Sequence, residues 1–290
     1  MKKALPILLV IAVVAVGLFF VFSKSNPAAG LNLEIKFKPG QIDKYKMTMD
    51  MTMNTPGSTG ASSPAMQANV SLLMTMETIS VNPDGSAKVK YKMSDMKMTM
   101  PGTPMAGSQA MPEAEFTATM SKDGKTSNVE GPKNMPGMAV SGMDAEQMMS
   151  NFSGVMLPGK SVKVGETWKG KMPALGGNMI TQFKLDSDNQ PIGNTKATKI
   201  TSTFNYKGSL ADLMKQSGKA SSLPPGMNGN VDMSGTGTTY FDRDAGKMIS
   251  ADTDVVEKMD IQSPAGMGAP AGQKSMQMNM TMKMHVEKVN

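Results

Sequence analysis

KSMQMNMTMKMHVEKV, residues 274–289, carries methionine at positions 276, 278, 280, 282 and 284. On an extended backbone successive side chains point to opposite faces. In a strand, all five thioethers and then Val286 share one face, while Gln277, Asn279, Thr281, Lys283 and His285 share the other. One face is dry and the other wet, as expected of an antiparallel sheet packed on one side. The same alternation returns at Met47, Met49, Met51 and Met53, at Met74 and Met76, and at Met96, Met98 and Met100. These stretches predict a mainly β protein.

The 290 residues suffice for one large β domain or two small ones. Thirty-four methionines against one Trp, four Tyr and nine Phe make the expected core flexible and polarizable. Lys2, Lys3 and Lys24, in a first segment without acids, supply three of the six net positive charges. The remaining lysines are spread along strand faces, and Arg243 stands alone, so the dense basic patch with aromatics of a nucleic-acid binder is missing. Without cysteine there are no disulfides, thiolate metal sites, cysteine nucleophiles or lipid-acylated N-terminal cysteine, and a single histidine excludes paired-His sites.

Residues 1–30 read as a membrane anchor or signal segment. Ala4 to Phe22 runs nineteen residues without a charge, about 28 Å as a helix, which favours an uncleaved transmembrane span over a signal peptide cut near Ala28-Ala29-Gly30. Lys2 and Lys3 keep the N-terminus in the cytoplasm by the positive-inside rule and leave residues 31–290 outside it.

Beyond the anchor, Leu31 to Phe37 alternates as a strand, and a second strand runs from Ile42 through the first methionines. Val70–Val81 and Ala87–Met100 form a hairpin about Asn82-Pro83-Asp84-Gly85, where Pro presets the turn and Gly accepts positive φ. Lys122-Asp123-Gly124 turns the chain again after the strand at Phe116–Met120. Short helices are expected over Met143–Val155 and Ser209–Gln216. KFKPGQIDKYKM (36–47) and VKVGETWKGKM (162–172) share a basic strand, a glycine turn and an aromatic, and the turns at Gly124-Lys125 and Gly246-Lys247 also match. They divide 31–290 into pseudo-repeats 31–155 and 156–290, two similar antiparallel halves expected to pair into one curved sheet or open barrel.

The paired signatures KFKPGQIDKYKM, LPGKSVKVGETW and GTTYFDRDAGKM resemble those of an uncharacterised bacterial envelope family of unknown function, with a signal or anchor followed by a repeated β domain. More remotely, a curved sheet with a covering helix looks like the half-barrel lipoprotein carriers of the bacterial envelope. That resemblance implies an apolar face that holds acyl chains and carries over no catalytic residue. The missing lipid-attachment cysteine departs from the lipoprotein members.

The methionine stretches admit three readings. Methionine fills the dry face of a sheet as core; thioethers gather a soft ion, Cu(I) or Ag(I), for which only His285 would add a nitrogen, on the opposite face; or they line an adaptable apolar groove. Met66, Met105, Met111, Met135, Met138, Met227 and Met267 lie in Pro/Gly-rich loops, as a lid, an oxidant sink or compositional drift. Asp186-Ser-Asp188 and Asp242-Arg-Asp244 have the first spacing of a calcium loop without its closing glutamate, and so read as turns. Gly235-Thr-Gly237 lacks a dinucleotide fingerprint's third glycine, Trp168 reads as a core anchor, and His285 has no nucleophile motif to serve.

The expectation is therefore a non-enzymatic, membrane-anchored, extracytoplasmic protein without a cofactor. Its groove for a lipid-like ligand or envelope partner is expected from Met47, Met49, Met51, Met74, Met76, Met96, Met98, Met278, Met280 and Met282. Alternatives are a Cu(I)/Ag(I)-sequestering protein and a structural envelope protein.

Overall fold

The structure, a computed structural model, describes residues 30–54, 65–101, 109–110, 113–131, 156–174, 177–212, 228–262 and 275–289. The chain separates into Met1–Leu31 and Asn32–Asn290, and the second unit carries every strand named here. The expected span at 4–22 and helix at Met143–Val155 lie outside the described residues. Among the described residues no helix is long and apolar enough to cross a membrane.

Twelve strands form one antiparallel sheet. The first six are β1 (Ile42–Asn54), β2 (Met66–Val81), β3 (Ala87–Thr99), β4 (Gln109–Ala110), β5 (Ala114–Met120) and β6 (Thr126–Glu130). The others are β7 (Thr167–Ala174), β8 (Gly177–Ile192), β9 (Thr195–Ser209), β10 (Asn228–Asp242), β11 (Lys247–Gln262) and β12 (Ser275–Val289). Their order is β6-β5-β3-β2-β1-β12-β11-β10-β9-β8-β7, with β4 paired on β3. The chain thus starts mid-sheet, meanders to one edge, and meanders back from the other edge until β12 zips onto β1.

The β2–β3 hairpin turns where expected. Asn82 N donates to Ser86 O at 2.8 Å, and Asp84 Oδ1 accepts Ser86 N at 2.9 Å. Of the expected Ser209–Gln216 helix, residues 210–212 form a helical turn, capped by Ser209 Oγ, which accepts Asp212 N at 3.0 Å.

Leu31–Phe37 departs from expectation, for 32–38 contain no strand. The backbone hydrogen bonds of this segment go to two hairpin turns, Ile35 N donating to Lys122 O (2.8 Å) and Lys36 N to Gly246 O (3.2 Å). Its alternation still buries Leu33 and packs Ile35 and Phe37 against the apolar face, so it is a strap. Gly246 has φ +66° and lies so close that an added Cβ would meet Lys36 N at 2.5 Å, so the strap requires glycine there.

A second connection joins the outer parts of the sheet. Leu157 N donates to Asp123 O in the β5–β6 turn (3.0 Å), and Trp168 Nε1 of edge strand β7 donates to Met156 O (2.8 Å). Trp168 is the expected core anchor, stacked on Phe183 with ring centroids 5.6 Å apart. One short segment reaches both sides of a single sheet, which therefore curls over its apolar face at this end.

Candidate functional site

Register assigns the methionines to rows. Met47 stands opposite Leu72 and Val286, Met49 opposite Val70 and Met284, Met51 opposite Ala68 and Met282, and Met53 opposite Met66 and Met280. The rows continue on β11 to Ala251, Thr253, Val255 and Glu257. Three thioether pairs consequently face one another across the β1–β12 seam, with Cβ atoms about 5 Å apart.

β3 reaches this face through a bulge. Alternation from Met93 would send Met96 to the wet side, but Asp95 takes φ +51° and the β2–β3 register shifts between Ser71 and Leu73. The extra residue returns Met96 to the apolar face, where it is buried.

Burial divides the ten expected groove residues. Met47, Met74, Met76 and Met96 are sealed in a cluster with Tyr45, Val89, Tyr91, Met93 and Phe116. Beside them lies a cavity of about 50 Å³, bordered by Ile35, Asp43, Tyr45 and Phe241, room for about one or two waters and no more. These four are core. Met49, Met51, Met98, Met278, Met280 and Met282 are half-buried, as are Met53, Met259 and Met284. A second cluster, Met179, Met233 and Val255, takes Phe204, Tyr206 and Met282 against it. Met49, Met51, Met53, Met98, Met278 and Met280 belong to neither of these two clusters. From Met278 to Met284 the β12 part of this run extends about 20 Å at about 3.3 Å per residue.

Two buried carboxylates share the face. Asp43, 2 % exposed, accepts from Lys247 Nζ (2.8 Å), Lys288 Nζ (3.1 Å) and Gln41 Nε2. Burial pushes its pKa up, but these donors outweigh that and hold it below the ordinary carboxylate range. Glu257, 4 % exposed, is held above the ordinary range by burial alone. Sequence reasoning passed it over. Its signal lies in the alternation of β11, where Val255, Glu257, Met259 and Ile261 share a parity and only Glu257 is charged. Burial also raises the Tyr45 and Tyr91 phenols, and Tyr91 Oη donates to Met120 Sδ at 3.8 Å.

The polar face is laced with ion pairs. His285 lies there as expected, its Nδ1 2.7 Å from Asp252 Oδ1, with its ring turned from the thioethers. Asp186 pairs with Lys184 and Lys199, Asp188 with Arg243 and the Thr198 hydroxyl, and Asp242 Oδ1 accepts Ala245 N. Both calcium-like spacings are thus occupied by ion pairs and turns, and among the described residues no three His, Cys, Asp or Glu converge on a metal position. Two broad open hollows, about 810 and 610 Å³, lie mostly on this face. Lys207, Asp232, Lys258 and Asn279 border the first, and Gln182, Thr203, Thr236 and Val256 the second.

Fold and face define an open antiparallel sheet protein with a methionine-lined apolar side. No protein-family model matches the chain, and no curated protein does. Among solved structures it is similar to lipovitellin, described for its lipid–protein interactions, at 11 % identity and a TM-score of 0.46 over 86 % of this chain. The chain spans a quarter (25 %) of the lipovitellin chain. DynF of the dynemicin biosynthesis pathway of Micromonospora chersina matches at 9 % identity and TM-score 0.23, over 90 % of this chain and 89 % of its own. An outer-membrane channel of Pseudomonas putida matches at 8 % and 0.20, over 92 % and 100 %. No ligand or partner passes to this chain from them.

Proposed function

We propose that this chain is a non-enzymatic binding protein of the cell envelope, anchored through residues 4–22, whose methionine face holds a lipid-like apolar ligand. The observation that carries the reading is the graded burial along β1 and β12. Below the sealed cluster, Met49, Met51, Met278 and Met280 keep partial access to solvent although they line the dry side of the sheet. Thioethers on flexible stems repack around varied shapes, so such a surface accepts acyl chains without fixing their length or branching. Each methylene moved from water onto it contributes about 0.8 kcal/mol. Met47, Met74, Met76 and Met96 support the surface from within and take no part in contact.

Mass spectrometry of the full chain, extracted gently from its own membrane, tests the proposal together with titration by a fluorescent fatty-acyl probe. Co-purifying lipid and saturable probe binding, weakened severalfold by Met51→Glu with Met280→Glu, are expected. Absence of both lipid and probe binding would overturn it.

A further inference from the structure

Glu257 stands directly opposite Met233 of β10 and Met280 of β12, on the apolar face. Opposed side chains in antiparallel pairs have Cβ atoms about 5 Å apart, so a thioether flanks the carboxyl on either side. One row further, Met259 faces Met278; one row back, Met282 faces Val255. Among the described residues no hydrogen bond or ion pair reaches the Glu257 side chain, whose only perturbation is burial. The neighbouring cations Lys258 and Lys283 occupy polar-face positions of β11 and β12. Glu257, only 4 % exposed, thus stands between thioethers with little access to water and no countercharge facing it.

The donor set selects what could supply one. Calcium and magnesium want six or more oxygens, and one carboxyl cannot provide them. Zinc wants thiolate or imidazole; the chain has no cysteine, and His285 faces the other way. Thioethers favour soft ions, and a monovalent one leaves a neutral pair with a single carboxylate. We propose that the row Met233–Glu257–Met280 is a binding site for one Cu(I) or Ag(I) ion, with Met259 and Met278 as further sulfur donors. This site shares Met278 and Met280 with the acyl surface but does not rest on acyl-chain binding. The cross-strand row carries it, because neighbours on adjacent strands converge more closely than alternate residues of one strand, about 6.7 Å apart.

Anaerobic titration of the full chain in detergent, with Cu(I) held by the chromophoric chelator bicinchoninate, tests it. The wild type is expected to withdraw one Cu(I) per chain. Glu257→Gln, and separately the volume-conserving pair Met233→Leu, Met280→Leu, are expected to weaken uptake at least tenfold with an unchanged circular-dichroism spectrum. No withdrawal by the wild type, or wild-type uptake by both variants, would overturn the site. Probe binding measured on the same samples separates the two proposals, because absent Cu(I) uptake with intact acyl binding removes only the ion.

Discussion

Asp43 and Glu257 lie on the same face of one sheet and respond to acid in opposite directions. The Asp43 pKa is depressed in the folded chain, so its stabilisation is present above the unfolded value of about 3.9 and is lost as pH falls through the lower folded value. The Glu257 pKa is raised, so the folded chain is penalised as pH climbs above the unfolded value of about 4.3, and below it the penalty vanishes. Thermal melts across pH 3 to 7 are expected to separate the two. Asp43→Asn costs about 1–3 kcal/mol at neutral pH, less than a fully buried pair because Lys247 and Lys288 can return to water, and the cost shrinks in acid. Glu257→Gln raises stability at neutral pH and changes nothing below about pH 4. The reverse ordering would mean that the partners are misassigned. Asp43 was hidden in the sequence because its lysine partners come from β11 and β12, more than two hundred residues away.

Among the elements, β1, β2 and β12 were legible because their methionines recur with period two, although at the strand ends Ile42 and Ile79 are exposed where Asp43 and Thr78 are buried. β3 was only half legible. Met93 and Met96 differ in parity, and a single sequence does not announce that Asp95 is the extra residue which reconciles them. Because Asp95 is the extra residue, deleting it leaves plain alternation with Met96 opposite Leu72 and still on the apolar face, so the deletion is expected to cost less than about 1.5 kcal/mol, well below the about 2–5 kcal/mol of a core truncation such as Met96→Ala. Asp95→Gly is tolerated, whereas Asp95→Val costs about 1–2 kcal/mol at this positive φ. Urea unfolding of the variants checks this, and a deletion as damaging as Met96→Ala would dismiss the bulge. β10 makes the complementary point: Gly235 leaves room for the Phe204 ring, which an added Cβ would meet at 2.3 Å. Gly235→Val is expected to cost about 1–3 kcal/mol by overpacking. Leu31–Phe37 alternates like a strand yet forms a strap, because alternation reports which side is buried, and not where the backbone donors go.

For the whole molecule, local sequence signals end at the hairpins. The pairing of β1 with β12 joins residues 44–54 to 279–289, and no short-range pattern announces so distant a partner. This seam unites the two meanders and also carries the half-buried methionines, so fold and proposed site depend on the same contact. Removing residues 275–290 leaves β1 and β11 without the strand between them. The truncated chain is expected to lose its single cooperative unfolding transition, and calorimetry showing it intact would argue against the seam. Such long-range closure is slow, so refolding is expected to be slow as well.

The most direct test of a methionine face sealed at one end and accessible along the seam is oxidation by dilute peroxide, read residue by residue by mass spectrometry with and without a fatty-acyl ligand. Met49, Met51, Met278 and Met280 are expected to form sulfoxide in the native protein and to be protected by the ligand, while Met47, Met74, Met76 and Met96 react only on unfolding. Equal reactivity of the two groups, or seam methionines that the ligand leaves unprotected, would contradict it.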